Sequence, residues 1–380
     1  MTEKLYYQDP YLFSFTATVV SCTSAGDGYA VELDRTAFFP EEGGQYADTG
    51  LLSGIPVTDV KEKGGVILHT LPSPLSVGAA VIGQVNATER LRKMQNHTGE
   101  HIVSGLFHSL YGLTNVGFHL GHDDVTVDLN GELSREDLCR VEHLANEAIW
   151  KNLPVRAEFP SPEVLATLDY RSKLGLTENV RIVTIPGYDV CACCAPHVAY
   201  TGEVGQIKLL DFARYKGGVR IHMLCGMDAL ADYHARYVAT AAISAKLTAP
   251  QGEVAEAVER LAAELLEKKA QIARLQDALA AELLRALPDG DAPALFFENR
   301  LDTPARRALV NGAAAKRPLA ALFAGDDESG YAFLIGSNAI DLRPFAKAMT
   351  AALGGKGGGS ATMVQGTLTA KRADIEEYWN

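Results

Sequence analysis

Asn96-His97-Thr98-Gly99-Glu100-His101 is the stretch on which the reading of this chain turns. It sits in a run from about Thr88 through Arg90, Met94, His97, His101 and Leu106 that reads as one helix. On a helix, positions i and i+4 share a face about 5–6 Å apart at Cβ. His97 and His101 are therefore spaced as two ligands of a single Zn²⁺. The helix also divides two kinds of sequence. Before it, 15–22, 29–33, 66–70 and 79–85 alternate apolar and polar between Gly, Pro and Asp turns, which predicts a small β-barrel or curled sheet over residues 1–88. After it, strand patterns at 115–119, 125–129, 155–159, 180–185, 205–212 and 219–224 interleave with a second helix. Ser134 and Asp137 cap that helix, and Leu138, Val141, Leu144 and Ala148 form its apolar face. The predicted class is α+β.

The other half of a metal site stands a hundred residues on. Asp189-Val190-Cys191-Ala192-Cys193-Cys194-Ala195-Pro196-His197 supplies thiols and an imidazole in one short loop. With the helix pair, Cys193 and His197 complete a tetrahedral set of three nitrogens and one sulfur, and Cys191 or Cys194 can replace Cys193 on spacing alone. His97 to His101 is also literally H-x-x-E-H, the pattern of inverted zinc peptidases with Glu100 as general base. That alternative needs a downstream Glu ligand and leaves the Cys/His loop without a role.

From Met227 the pattern becomes helical, with a break at 249–252. Val254, Val258, Leu261, Leu265, Ile272, Leu275 and Leu279 keep a heptad seam interrupted at Lys268, predicting a coiled-coil or hairpin arm over 227–287. Residues 288–293 read as a linker, and 294–380 as a separate small α/β domain. Its run Gly354-Gly355-Lys356-Gly357-Gly358-Gly359 fails the phosphate-loop pattern, because Thr350 stands where Gly is required and Gly357 follows Lys356. A backbone nest or a surface loop is expected there instead.

The 380 residues carry 35 Lys+Arg against 47 Asp+Glu, a formal charge of −12, and 47% hydrophobic residues. That composition excludes wholesale disorder. No apolar run reaches the ~18 residues of a membrane span, and residues 1–13 lack a secretory pattern, so a cytoplasmic protein is predicted. Six Cys are too few for a disulfide scaffold. Bulk charge argues against a nucleic-acid partner, but the charge is uneven: −6 over residues 1–88 and −1 over 288–380.

Four motifs in order resemble one family. Thr36 to Gly50 (TAFFPEEGGQYADTG), Asn96 to His101, and Cys193 to His197 with the Thr201-Gly202-Glu203-Val204-Gly205 run are similar to the editing domain of alanyl-tRNA synthetase and to the free-standing AlaX editing proteins of the long type. Gly354 to Gly366 resembles the DHH-associated domain that ends the synthetase. No aminoacylation domain is expected in residues 1–88, so a synthetase is not. The resemblance implies a trans-editing hydrolase that deacylates Ser-tRNA(Ala), and sometimes Gly-tRNA(Ala), with tRNA as partner. A pocket that accepts Ala cannot strongly reject Gly or a small added hydroxyl, so a second hydrolytic site is needed.

Carried over, the zinc ligands are His97, His101, Cys193 and His197, and Gly43, Gly44 and Gln45 lie over the reactive end of the tRNA. Glu100 is a candidate base and Thr98 a candidate hydroxyl. Where the synthetases carry Gln or Thr, this chain has Phe118 and His119, which are assigned to substrate. Arg90, Arg92, Lys93, Arg306, Arg307 and Lys356 are candidate tRNA-phosphate contacts. The rival readings are a non-catalytic zinc-stabilised tRNA-binding protein and the peptidase. The helical arm offers a route to a homodimer.

Overall fold

The alternation of residues 14–85 is realised as one antiparallel sheet, whose inward positions Phe15, Ala17, Val19, Val31, Leu33, Ile67 and Leu71 are buried. The computed structural model describes residues 1–121, 125–172, 179–288 and 290–379. The sheet comprises β1 (Ser14–Ala25), β2 (Gly28–Leu33), β3 (Gly50–Leu52), β4 (Ile55–Val57), β5 (Asp59–Lys63), β6 (Val66–Leu71) and β7 (Ala80–Val85). Their order is β4-β3-β7-β1-β2-β6-β5. The two edges, β4 and β5, are consecutive in the chain, and Thr58 N donates to Thr70 O on β6 between them (3.0 Å). The sheet therefore curls into a nearly closed barrel, which leaves little free edge. Phe38 and Phe39 fill it.

Helix α1 (Ala87–Tyr111) follows, capped by the Asn86 side chain on Glu89 N and ended by Gly112 in the left-handed conformation. A four-stranded antiparallel sheet then forms from β8 (Asn115–Leu120), β9 (Val125–Leu129), β13 (Ile207–Tyr215) and β14 (Gly218–Cys225), in the order β8-β9-β14-β13. Helix α2 (Arg135–Lys151) starts on the expected capping box of Ser134 and Asp137. A smaller sheet joins β10 (Arg156–Glu158), β11 (Ile182–Ile185) and β12 (Asp189–Ala192). One core holds these parts: Ile102, Val103 and Phe107 of α1 with Val127, Val141, Ile207 and Ile221.

The chain divides into two compact units, Met1–Ala239 and Thr240–Asn380. Helix α3 (Gly226–Leu247) contains the division. In the second unit, α4 (Val254–Arg285) carries the predicted seam with Val258, Leu261, Leu265, Ile272 and Leu275 exposed. The rest is a five-stranded sheet, β15-β16-β17-β19-β18, built from β15 (Ala294–Phe297), β16 (Ala320–Asp326), β17 (Gly330–Gly336), β18 (Gly355–Gly359) and β19 (Met363–Leu368). Helices α5 (Thr303–Ala314), α6 (Leu342–Ala352) and α7 (Arg372–Trp379) pack on it. Asp289 of the expected linker lies outside the described residues. The glycine run is thus a strand rather than a nest or loop. A Cβ at Gly357 would lie 2.5 Å from the Phe333 ring, so the run's glycines let β18 and β19 pack against that aromatic.

Candidate metal centre

The i, i+4 pair behaves as the spacing predicts: the His97 and His101 rings stack with centroids 5.6 Å apart on the buried face of α1. The loop after β12 brings Cys193 and His197 to them. One donor atom from each of these four residues lies within 4.8 Å of every other. Cys193 Sγ is 3.5 Å from His97 Nε2 and 3.4 Å from His197 Nε2. Zinc bonds of about 2.0–2.1 Å to nitrogen and 2.3 Å to sulfur give a tetrahedral N···S edge of about 3.6 Å. The donor set and its spacing fit that ion. Of the three clustered thiols it is Cys193 that joins the imidazoles. Cys194 packs instead at Gly43, where a Cβ would be 3.3 Å from its Sγ.

Each imidazole is oriented through its other nitrogen. His97 Nδ1 meets Gln45 Oε1 (3.1 Å), His101 Nδ1 meets Asp189 Oδ2 (2.8 Å), and His197 Nδ1 meets Thr98 Oγ1 (3.1 Å). The Gln45 and Asp189 oxygens accept from Nδ1–H of His97 and His101 and leave Nε2 as the ligating atom, while the Thr98 hydroxyl, a donor as well as an acceptor, holds His197 through Nδ1; such contacts are the usual surroundings of a metal histidine. Asp189 in turn accepts from Arg171 Nε (2.7 Å) and Nη2 (2.8 Å). His101, Asp189 and Cys191 also lie close enough to suggest a second site. The Asp189 carboxylate is fully engaged by Arg171 and His101, so this group is support for His101 rather than a separate centre. Burial works against charge on His101, but Asp189 and the nearby thiols hold its pKa well above the usual value. Burial pushes His197 down to about 3. It would also raise Cys193, yet the facing His97 and His197 draw that thiol well below its ordinary range, toward the thiolate a metal needs.

A clamp places the loop that covers this centre. Asp48 accepts from Phe39 N (2.8 Å), from Arg90 Nε (2.9 Å) and Nη2, and from Lys93 Nζ (3.2 Å). Arg90 also donates to Pro10 O and Ala37 O, and Lys93 to Ala47 O. Between these anchors, Gly43 and Gly44 turn with φ of +64° and +80°. A Cβ at Gly44 would lie 2.3 Å from Phe118 O, and Leu120 N donates to Gly44 O (2.7 Å), so the turn is pinned against β8. Gly43, Gly44, Phe118, Glu100 and Cys193 all line a cavity of about 1070 Å³ that opens from the donor cluster.

Several sequence assignments change here. Arg90 and Lys93 are fully buried in the Asp48 clamp and cannot meet phosphate. Arg92 is largely buried and ion-paired with Asp228 (2.8 Å). Gln45 is 1% exposed and turned onto His97, so it orients a donor instead of covering the cavity. Thr98 is buried with its hydroxyl on His197 and Val198 N, which makes it a positioning residue. His119 is exposed and lines no part of the cavity, since neighbouring strand residues face opposite ways; Phe118 does line it, with its ring 4.7 Å from His97. Glu100 reaches the cavity wall, with Oε1 taken by Ser104 Oγ (2.5 Å) and by Asn115 Nδ2. Arg306 and Lys356 line a smaller groove of about 560 Å³ in the second unit, with Arg307 on Gln365 beside it. Sequence reading missed Asp48, Asp189 and Arg171. Only the close spacing of Asp189 to the Cys/His loop was a signal.

The α+β frame joins a helix His pair to a Cys/His loop under a glycine turn, and parts of it match two tRNA-synthetase families. Residues 180–222 match the threonyl and alanyl tRNA synthetase second additional domain, and residues 4–89 match class II (A) tRNA synthetases. The chain is 36% identical over 243 residues to the alanyl-tRNA editing protein AlaX-L of Pyrococcus horikoshii, covering 60% of this chain and 59% of that protein. It is 37% identical over 245 residues to the alanine–tRNA ligase of Natronomonas pharaonis, and 35% over 277 residues to that of Halobacterium salinarum. Those matches cover 60% and 68% of this chain but only 26% and 30% of the ligases. Over these stretches the chain is similar to an alanyl-tRNA editing protein and to alanine–tRNA ligases.

Proposed function

We propose that this protein is a zinc-dependent trans-editing hydrolase that deacylates Ser-tRNA(Ala), with Gly-tRNA(Ala) as a second substrate. The observation that carries the reading is the cluster of His97, His101, Cys193 and His197 at the inner end of a cavity roofed by Gly43 and Gly44. The four side chains would hold Zn²⁺, which supplies Lewis acidity or charge compensation to an ester when bound. Gln45, Thr98 and Asp189 keep the imidazoles aimed. Gly43 and Gly44 let the backbone approach the ester, which any side chain there would obstruct. Glu100, fixed by Ser104 and Asn115, orients water or the amino-acid end in the cavity wall. Phe118 closes the cavity beside His97 with an apolar ring, which favours a small acyl side chain. The first two donors lie on an H-x-x-E-H helix, but the loop donors are Cys193 and His197, a set unlike the peptidase pattern.

Residues 288–380 read as the DHH-associated-like domain, with Arg306, Arg307 and Lys356 as its phosphate contacts, and the exposed seam of α4 as the route to a homodimer, to be tested by sedimentation at several concentrations. The decisive experiment is deacylation of Ser-, Gly- and Ala-tRNA(Ala) by the full chain, with and without chelator. Ser-tRNA(Ala) should be hydrolysed, Ala-tRNA(Ala) spared, and the activity lost with the metal. Equal rates on Ser and Ala refute the editing reading. Binding of tRNA without turnover favours the non-catalytic one.

A further inference from the structure

Gln45 aims His97, but little aims Gln45. Its Oε1 meets His97 Nδ1 (3.1 Å), while its Nε2 is buried without a hydrogen-bond partner among the described residues. The placement of that amide is therefore left to the backbone that carries it. Gln45 and Leu120 form an isolated parallel bridge, beside the bond from Leu120 N to Gly44 O. A single bridge holds register weakly, because few contacts oppose a slip. Arg92 reinforces it from α1. Its Nη1 donates to Tyr46 OH (2.9 Å) and to Gly121 O (3.2 Å), the residues that follow Gln45 and Leu120. Asp228, in the first turn of α3, pairs with Arg92 Nε (2.8 Å), and Asn96 Nδ2 donates to the same carboxylate oxygen (3.0 Å). Tyr46 OH donates in turn to Glu89 Oε2 (2.6 Å), one helical turn before Arg92. A planar guanidinium offers its donors in fixed directions, so one side chain can hold two chain segments at a set spacing. Arg92, Tyr46, Gly121 and Asp228 all lie outside the lining of the cavity, so they can serve the centre only through position.

We infer that Asp228 and Arg92 form a staple that sets the register of the glycine turn on β8 and thereby keeps the Gln45 amide on His97. Both are positioning residues for the metal centre. Asp228 fixes the guanidinium, the guanidinium fixes Tyr46 against Gly121, and Gln45 lies between that contact and the turn. The inference rests on the zinc reading of the donor cluster for one of its two readouts; the other needs no metal.

The test is a double-mutant cycle on the full chain. Chelator competition reads zinc affinity. Histidine-labelled NMR of the metal-free protein reads the His97 Nδ1–H signal, identified by its absence in His97→Gln. Arg92→Met keeps the stem and removes the guanidinium. It should weaken zinc binding roughly 2- to 30-fold and expose the His97 proton to exchange with water. In the Gln45→Ala background the same change should cost less than about twofold more, because Arg92 acts through Gln45. Arg92→Lys should not rescue, since an ammonium cannot reach Asp228, Tyr46 and Gly121 from one plane. Asp228→Asn keeps the shape of a side chain that is 21% exposed, so it should fold, and it should move both readouts the same way. Ser134→Ala removes the cap of α2 and lowers stability away from the turn, and it should move neither readout. Parent-like readouts in Arg92→Met and Asp228→Asn, full additivity with Gln45→Ala, or an equal loss in Ser134→Ala overturns the staple. Stoichiometric zinc with affinity indifferent to Arg92→Met rejects the staple alone. A His97 signal lost in Arg92→Met from a protein that takes up no zinc supports the staple and rejects the zinc reading.

Discussion

Removing Asp48 should expose the clamp that carries the glycine turn. In Asp48→Ala the Arg90 and Lys93 cations, both fully buried, lose their shared counter-charge, and Phe39 N loses its acceptor. Burial alone would raise the Asp48 carboxyl, yet the adjacent Arg90 and Lys93 hold it below its usual range, so the native pair is ionised at neutral pH. Breaking a buried ion pair from one side costs about 3–5 kcal/mol, because the remaining charge is left desolvated and unpaired. With a urea m-value near 3 kcal/mol/M, the upper end for small proteins, the midpoint should fall by about 1–1.7 M. Urea unfolding followed by circular dichroism, with the two compact units fitted as separate transitions, reads this in the first unit. The triple variant Asp48→Leu, Arg90→Met, Lys93→Met removes all the charge together and should recover part of the loss. Recovery stays partial, because Pro10 O, Ala37 O and Ala47 O lose their donors. A first-unit midpoint unchanged in Asp48→Ala, or a triple variant less stable than the single one, would refute the reasoning.

Gln45→Ala removes the acceptor that holds His97 and should weaken zinc affinity about 10- to 100-fold in chelator competition; unchanged affinity would show the contact to be incidental. Cys193→Ala should abolish stoichiometric zinc by elemental analysis while Cys194→Ala retains it, and the reverse pattern would reassign the sulfur donor. His69, fully buried in the barrel between Thr36 and Val31 O, has its pKa lowered by burial to about 4. Its folded value lies below its unfolded value near 6.5, so the stability it permits is complete above pH 6.5 and is lost as pH falls toward 4. The loss amounts to about 3 kcal/mol. His69→Gln should flatten that part of the first unit's stability–pH curve, and an unchanged slope assigns the acid sensitivity elsewhere.

Local pattern and tertiary placement contributed differently. The i, i+4 histidines, the Ser134 capping box and the two-residue alternation of β1 and β6 depend on neighbours within a few positions, so they are legible in the linear chain. The three imidazoles and the need for one thiol beside them were legible too, because a histidine pair on one helix face and a Cys/His loop have few other uses. What the chain alone could not decide was which thiol joins the cluster, since Cys191 in β12 and Cys193 and Cys194 just after it differ only in how folding turns them. It also could not tell a surface cation from a buried one. Arg90 and Lys93 look like phosphate contacts until Asp48, more than forty residues away, is folded against them. Gln45 and Thr98 look like substrate groups until folding turns them onto His97 and His197. Residue type and spacing determine which chemistry a segment can offer. Whether a polar group serves the ligand or another side chain depends on burial and on partners distant in sequence, which only the packed chain supplies.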